Sequence, residues 1–409
     1  MTNVSPPDQP LALWRRIFLP FAVGYYLSYL LRTVNAVIAP DLSRELGLSA
    51  TDLGLLTSAY LAAFALVQLP LGMALDRFGP RRVEAILLLL CALGCATFAS
   101  GHDLSLLLIA RGLIGLGVSA CLMASFKAFG LWFGAERQAS LNSAIMVAGG
   151  LGALTASAPF TVLLPLVGWR GIFWGLALLA VVASLLVARM PDKPATGGKE
   201  SLAEQMRGVV TVLKSRMFWR YVPQTSLIIG GFIAVQGLWS VPWLMEVNGL
   251  SQAEAAVHLL LLNLGLMAGY MVIAATITRL SRFGLTPPRM IGAGNGLALA
   301  VSLLIILKIG PTWGMWALFG LVCSAANLSY AAHAQGFARH LAGRANTCLN
   351  LGVFIGSFSL QWGFGALVDG GLAAGMTRAE AMQRAWLVMA MLQAVSLFWF
   401  FASRRWSRR

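Results

Sequence analysis

Apolar runs of 18 or more residues recur along the whole 409-residue chain, separated by short polar intervals. Each run is long enough to cross about 30 Å of hydrocarbon as a helix. The pattern predicts twelve spans, at 17–39, 53–74, 84–101, 104–126, 139–166, 171–189, 221–245, 255–278, 290–309, 312–338, 346–368 and 385–403. The longest polar interval, from Pro191 to Arg220, divides them six and six. The expected fold is therefore an all-α integral membrane protein, twelve transmembrane helices in two six-helix pseudo-repeats. The expected organisation is an N-terminal bundle over 1–190, a cytoplasmic linker over 191–220 and a C-terminal bundle over 221–409. The halves echo one another: Arg137-Gln-Ala-Ser-Leu-Asn142 precedes span five and Arg344-Ala-Asn-Thr-Cys-Leu-Asn350 precedes span eleven. With six spans each, the copies keep one orientation, an arrangement that places a substrate near mid-membrane between the halves.

Composition agrees with the pattern. The chain is 58% hydrophobic and 11% charged, with mean hydropathy +0.76, which excludes an ordinary soluble domain. The net charge of +15 raises the question of nucleic acid, and its placement answers it. With the N-terminus inside, the inner segments collect Arg15, Arg16, Arg77, Arg81, Arg82, Arg137, Arg189, Lys193, Lys199, Arg207, Lys214, Arg216, Arg220, Arg279, Arg282, Arg289, Arg339, Arg344 and the Arg404, Arg405, Arg408, Arg409 tail. The outer segments keep only Arg44, Arg170, Lys308, Arg378 and Arg384. This is the positive-inside bias, which sets both termini in the cytoplasm and reports topology, with no nucleic-acid partner expected. Cys91, Cys95, Cys121, Cys323 and Cys348 all fall within spans and read as small packing residues. No signal peptide is expected, because the stretch before span one is polar and Pro-rich.

Span one carries a polar stripe: on a helix, Tyr25, Ser28, Tyr29, Arg32 and Asn35 share one face. A cation at this depth is costly and marks a functional site by default. No Asp or Glu lies between Leu53 and Leu75, between Ala85 and Gly101, or in any later span, so Arg32 is expected to lack an acidic partner within the chain. Its counter-ion is then a cargo carboxylate, phosphate or sulfonate, held by guanidinium and phenol groups. The alternative is a polar seam between helices, satisfied by carbonyls and water.

The loop after span two reads Gly72-Met-Ala-Leu-Asp76-Arg77-Phe-Gly79-Pro-Arg81-Arg82. It resembles the G-x-x-x-D-R-x-G-x-R-R signature of the major facilitator superfamily, at the place that family carries it. The resemblance covers 15–403. It implies a secondary transporter of a bacterial inner membrane, working by alternating access, with Gly72, Asp76, Arg77, Gly79, Arg81 and Arg82 as a cytoplasmic latch on one access state. Gly72 is expected to permit close helix approach and Gly79 a tight turn. The second copy, Thr278-Arg279-Leu-Ser-Arg282-Phe-Gly284, keeps basic residues and lacks the acid. Arg111-Gly112-Leu-Ile-Gly115-Leu-Gly117 is similar to the family's span-four element, and Gly149, Gly150, Gly152 and Pro159 resemble the drug/proton antiporter signature only loosely. The first span is similar to those of organic-anion and organophosphate carriers. Proton symporters of that kind often place an acid before the arginine, where this chain has Leu31.

Candidate substrate residues are thus Tyr25, Tyr29, Arg32 and Asn35, with Arg111 either ordering the first helix pair or adding a second charge. Gln236, Trp239, Tyr330, His333 and Gln361 would complete the pocket from the second half, each set against a plain packing role. His333 is the span residue able to titrate near neutral pH and the candidate proton site. Lys127 reads as an interfacial lysine at the cytoplasmic mouth. No cofactor or metal set is evident, and no catalytic constellation, so an enzyme is not expected. The expected protein is a monomer in the lipid bilayer carrying a small organic anion, by exchange or weak proton linkage. The alternatives are transport of neutral or amphipathic compounds, as in drug efflux, and proton symport through a histidine.

Overall fold

The computed structural model describes residues 14–193, 202–283, 285–338 and 341–404. Side chains at 69, 135, 136, 139, 202, 203, 205 and 277–282 fall outside the described set. The second-copy loop side chains, Gly284, Arg339 and the last basic residues therefore lie outside it too.

Ten helices among the described residues are long and apolar enough to cross a membrane, and two shorter apolar helices supply the rest. We number the spans α1 (Trp14–Leu46), α2 (Ala50–Leu66, continued through 68–78), α3 (80–99), α4 (Leu104–Trp132), α5 (Ala135–Thr155, continued through 158–167) and α6 (169–188). The second half comprises α7 (Arg216–Glu246), α8 (Gln252–Arg282), α9 (Pro287–Ile306), α10 (Thr312–Ala334), α11 (Ala342–Ala373) and α12 (Arg378–Ala402). An amphipathic helix, Leu202–Lys214, precedes α7 on the cytoplasmic side.

Local sequence sets these boundaries. Ser49 and Asp52 form a capping box at the start of α2, and Thr377 with Glu380 does the same for α12. Between α2 and α3 the chain reverses at Gly79 (φ 79°, ψ 158°), and between α5 and α6 at Gly168 (φ 65°, ψ 172°). Both sit in the left-handed region that glycine enters without steric cost. The tight turn expected at Gly79 is present. At Gly72 the expected close approach is not: an added Cβ there would meet nothing within 4 Å.

The two halves share a packing scheme. In the first, α1 packs on α5, α2 on α4 and α3 on α6; in the second, α7 packs on α11, α8 on α10 and α9 on α12. Between the halves α2 lies along α11, and its symmetry counterpart sets α5 against α8. The seam is closed by polar clasps on the outer side. Asp369 on α11 accepts from the Ala50 and Thr51 amides (3.2 and 2.8 Å), capping the exposed N–H groups of α2 across the interface. Gln252 donates to the Val37 carbonyl and to Asp41, both at 2.8 Å, and Ser58 donates to the Phe358 carbonyl at 3.1 Å. Beneath these, Gly54 meets the α11 backbone, a built Cβ falling 2.7 Å from the Gln361 carbonyl oxygen.

Candidate functional site

Arg32 sits close to the middle of α1 and reaches into a cleft between the halves. Its guanidinium lies over the Tyr29 ring at 4.8 Å, with Phe64 at 5.7 Å and Phe354 at 5.9 Å. The Tyr60 phenol of α2 stands beside it, and its own hydroxyl donates to the Ser28 carbonyl at 3.3 Å. No carboxylate among the described residues pairs with Arg32, and its Nε has no hydrogen-bond partner. Leu31, Thr57, Arg111, Ile233, Gly237 and Gln361 complete the cleft. Its free volume is 10 Å³, the space of about one water. Phe64 and Phe354, ring centroids 4.7 Å apart, meet just inward of the guanidinium, one ring from each half.

Arg111 lies on the wall of the same cleft and is tied to α1. Its Nη1 donates to the Leu31 carbonyl at 3.2 Å, pinning α4 to α1, while the packed Phe98 and Phe173 rings lie 4.6 and 5.2 Å from the group. Its Nε and Nη2 stay unpartnered, and the residue lines the same cleft as Arg32. Gln361 is fully buried with both amide atoms unpartnered, so its donor and acceptor stand ready beside the cation. Asn35 donates to Thr57 at 2.9 Å and ties α1 to α2. Tyr25 packs edge-on against Tyr29 (5.1 Å) and points its hydroxyl to Met146 on α5.

The other second-half candidates disperse. Gln236 donates to Asn263 at 2.6 Å, joining α7 to α8. It sits in a π-helical turn, Val235–Trp239, that instead turns Gly237 toward the Arg32 carbonyl. Trp239 stacks on Phe364 (4.6 Å), donates to the Gln361 carbonyl and lines a separate outer vestibule of 310 Å³ with Arg44, Glu246 and Arg378. Tyr330 donates to Asn350 at 2.8 Å, linking α10 to α11 within electrostatic range of Tyr29 and Arg32. His333 does not share that site. It is buried near the cytoplasmic end of α10 in an aromatic cage of Phe218, Tyr221 and Phe337, both ring nitrogens unpartnered. Short i, i+3 spacing put Tyr330 and His333 on one face, but the turn between them carries His333 below the cleft.

Sequence reasoning missed Tyr60, Thr57, Phe64 and Phe354. The signal was present as Thr57, Tyr60, Leu61 and Phe64, an i, i+3, i+4, i+7 face on α2. A larger correction concerns acids. Glu84, at the edge of the expected third span, is fully buried in the bundle, so the membrane region does hold a carboxylate. Lys127 is also more than an interfacial lysine: its ammonium pairs with Asp76 of the signature loop. Arg81 donates to the Met190 carbonyl and to Asp192, both at 2.8 Å, and Arg82 reaches Asp192 at 3.3 Å. These contacts fasten α2 to α4, and α3 to the segment just beyond α6, at the cytoplasmic side of the first half.

Two six-helix bundles, clasped on one side and meeting at a buried polar cleft, define a twelve-helix membrane fold with a candidate site between its halves. A family model described as Major Facilitator Superfamily matches residues 21–360, and the chain belongs to that superfamily. It is a multi-pass protein of the bacterial inner membrane. Its fold matches a bacterial homologue of the human lysosomal transporter Spinster, in an inward-facing and unoccupied conformation, with TM-score 0.77, 17% identity and 98% of each chain covered. Among sequence relatives, the galacturonate transporter of Dickeya chrysanthemi is 30% identical over 40% of this chain and 46% of its own length. A probable sulfoacetate transporter of Cupriavidus necator is 27% identical over 44% of this chain and 43% of its own. The chain thus spans under half the length of these two relatives. A tetracenomycin C resistance and export protein of Streptomyces glaucescens is 26% identical over 73% of this chain and 62% of its own.

Proposed function

We propose that the chain carries a small organic anion, a carboxylate or sulfonate, with Arg32 as the group that binds the charge. The observation behind this is the Arg32 guanidinium at mid-membrane with aromatic rings and a phenol around it and no acid of the described residues to neutralise it. A fixed cation in a low-dielectric cleft favours an anion and disfavours a cation of the same size. Arg111 adds a second positive charge to the lining, and Gln361 offers one donor and one acceptor for a hydroxyl on the cargo. The named substrates of the two short-range relatives, galacturonate and sulfoacetate, fit that chemistry. In this reading Tyr29 supports the guanidinium with its ring, Tyr25, Asn35 and Tyr330 are positioning groups around the cleft, and Gln236, Trp239 and His333 serve packing.

A second reading, transport of a neutral amphipathic compound, draws on the aromatic lining and on the exporter relative. One experiment separates the two. The purified protein is heated with galacturonate, galactonate, sulfoacetate, neutral galactose and a neutral polycyclic aromatic compound in turn. An anionic cargo raises the unfolding midpoint with the acids and leaves it unchanged with galactose, because a ligand bound only to the folded state stabilises it. A shift with the neutral aromatic compound alone overturns the anion reading.

A further inference from the structure

Glu84 is the buried acid that the Arg32 cleft does not use. It projects from α3 into the seam between α1 and α4, where its Oε1 occupies the space a side chain at Gly24 would fill. The carboxyl has no exposed surface, and both oxygens lack a hydrogen-bond partner. Each packed element offers it little: α1 presents Gly24, α4 the Cys121 thiol, and α6 the Ser184 hydroxyl, which donates instead to the Ala85 carbonyl at 2.7 Å. The charged groups around it are engaged elsewhere: Arg81 and Arg82, one turn or less away on α3 itself, pair with Asp192, and those on α4 are distant. Lys127, about 9 Å inward along the helix, pairs with Asp76, and Arg111, about 15 Å outward, is held at Leu31. A carboxylate buried without a cation or a donor is costly, and a bound proton removes that cost.

We infer that Glu84 is a proton-binding site, and that inward movement of the anion carries one proton on this carboxyl. The α1–α4 seam gives the link. Its outer end is the Arg111–Leu31 contact on the cleft wall, and its inner end is the Gly24 notch that houses Glu84. Cargo drawn onto Arg32 shifts α1 against α4 and so changes the room and hydration at the notch. Rehydration permits Glu84 to release its proton to water, and closure requires it to be protonated again. No bond other than O–H is made or broken, and water is donor and acceptor. The site lies in the first half, away from His333, and stands in place of the acid that Leu31 does not supply.

This inference rests on the anion reading for its coupling and on the notch alone for its proton. The test uses the full-length protein in vesicles with galacturonate as probe. With one proton per monovalent anion, a one-unit acid-outside gradient supports about a tenfold accumulation. Wild type is expected to reach it, whereas Glu84→Gln is expected to fall to a ratio of about one while keeping galacturonate exchange. Glu84→Asp, which keeps the acid on a shorter stem, is expected to restore accumulation with a displaced pH profile. Equal accumulation by Glu84→Gln and wild type overturns the inference, as does wild-type exchange that a pH gradient cannot drive. Infrared spectroscopy reads the proton without cargo: a neutral-carboxyl band at neutral pH, lost in Glu84→Gln, supports the site, and its absence overturns it. If no panel anion moves at all, the anion reading fails and the infrared result still decides Glu84.

Discussion

Replacing Arg32 with Gln tests the cleft because substrate and packing roles predict opposite signs. In the empty protein the guanidinium makes three ring contacts, to Tyr29, Phe64 and Phe354. At about 0.5–1 kcal/mol each, these contribute about 1.5–3 kcal/mol. Removing an unneutralised cation from the membrane returns about 2.5–3.5 kcal/mol. The two nearly cancel, so the empty Arg32→Gln protein is expected to unfold within a few degrees of wild type. With cargo the balance differs. Charge-assisted bonds to a carboxylate contribute about 2–3 kcal/mol, which is about a 30- to 150-fold loss of affinity. At a ligand concentration 100 times the wild-type Kd, stabilisation by ligand is about 2.7 kcal/mol and is expected to fall below about 1 kcal/mol in the variant. Differential scanning fluorimetry with and without galacturonate measures both. A much lower empty midpoint together with an unchanged ligand shift would show that Arg32 holds helices together and does not meet cargo.

Two further outcomes follow from the seam and the cleft. Asp369→Asn removes the charge that caps α2 across the halves, weakening the outer clasp by about 1–2 kcal/mol and raising the outward-open fraction about 5- to 30-fold. A cysteine placed at Ser43, on the outer vestibule, should then label faster, and an unchanged rate would remove Asp369 from the gate. Gln361→Leu replaces two unpartnered buried polar atoms by methyl groups of similar volume, so the empty protein should gain about 1–2 kcal/mol of stability while galacturonate binds more weakly. A lowered midpoint would mean that the amide is already satisfied by packing or water.

The spans were legible because hydrocarbon thickness fixes their length and the apolar runs are long. Gly79 was legible as a turn because only its backbone conformation was at stake. Arg32 stood out because a charge in an apolar run is a one-dimensional signal. Glu84 did not, since it sits beside Arg81 and Arg82, where a hydropathy window places the membrane edge. Its depth depends on the Gly24 notch, some sixty positions away in the chain. The pairing of Lys127 with Asp76, and of Tyr60 with Arg32, is likewise tertiary: each residue alone reads as an ordinary interfacial or core side chain. His333 shows the reverse error, a face read correctly on one helix whose neighbours were aromatic and closed it off.

Gly54 and Gly365 meet the facing helices so closely that a side chain at either would strike a backbone carbonyl oxygen, of Gln361 and Ala50 in turn. At these two points the halves close on main chain, while in the proposed reading selection of cargo falls to the side chains at Arg32, Arg111 and Gln361. Movement and recognition are written in different parts of the polypeptide. A lineage can exchange the residues that face the cargo, and so acquire a new solute, without rebuilding the joint on which the halves turn.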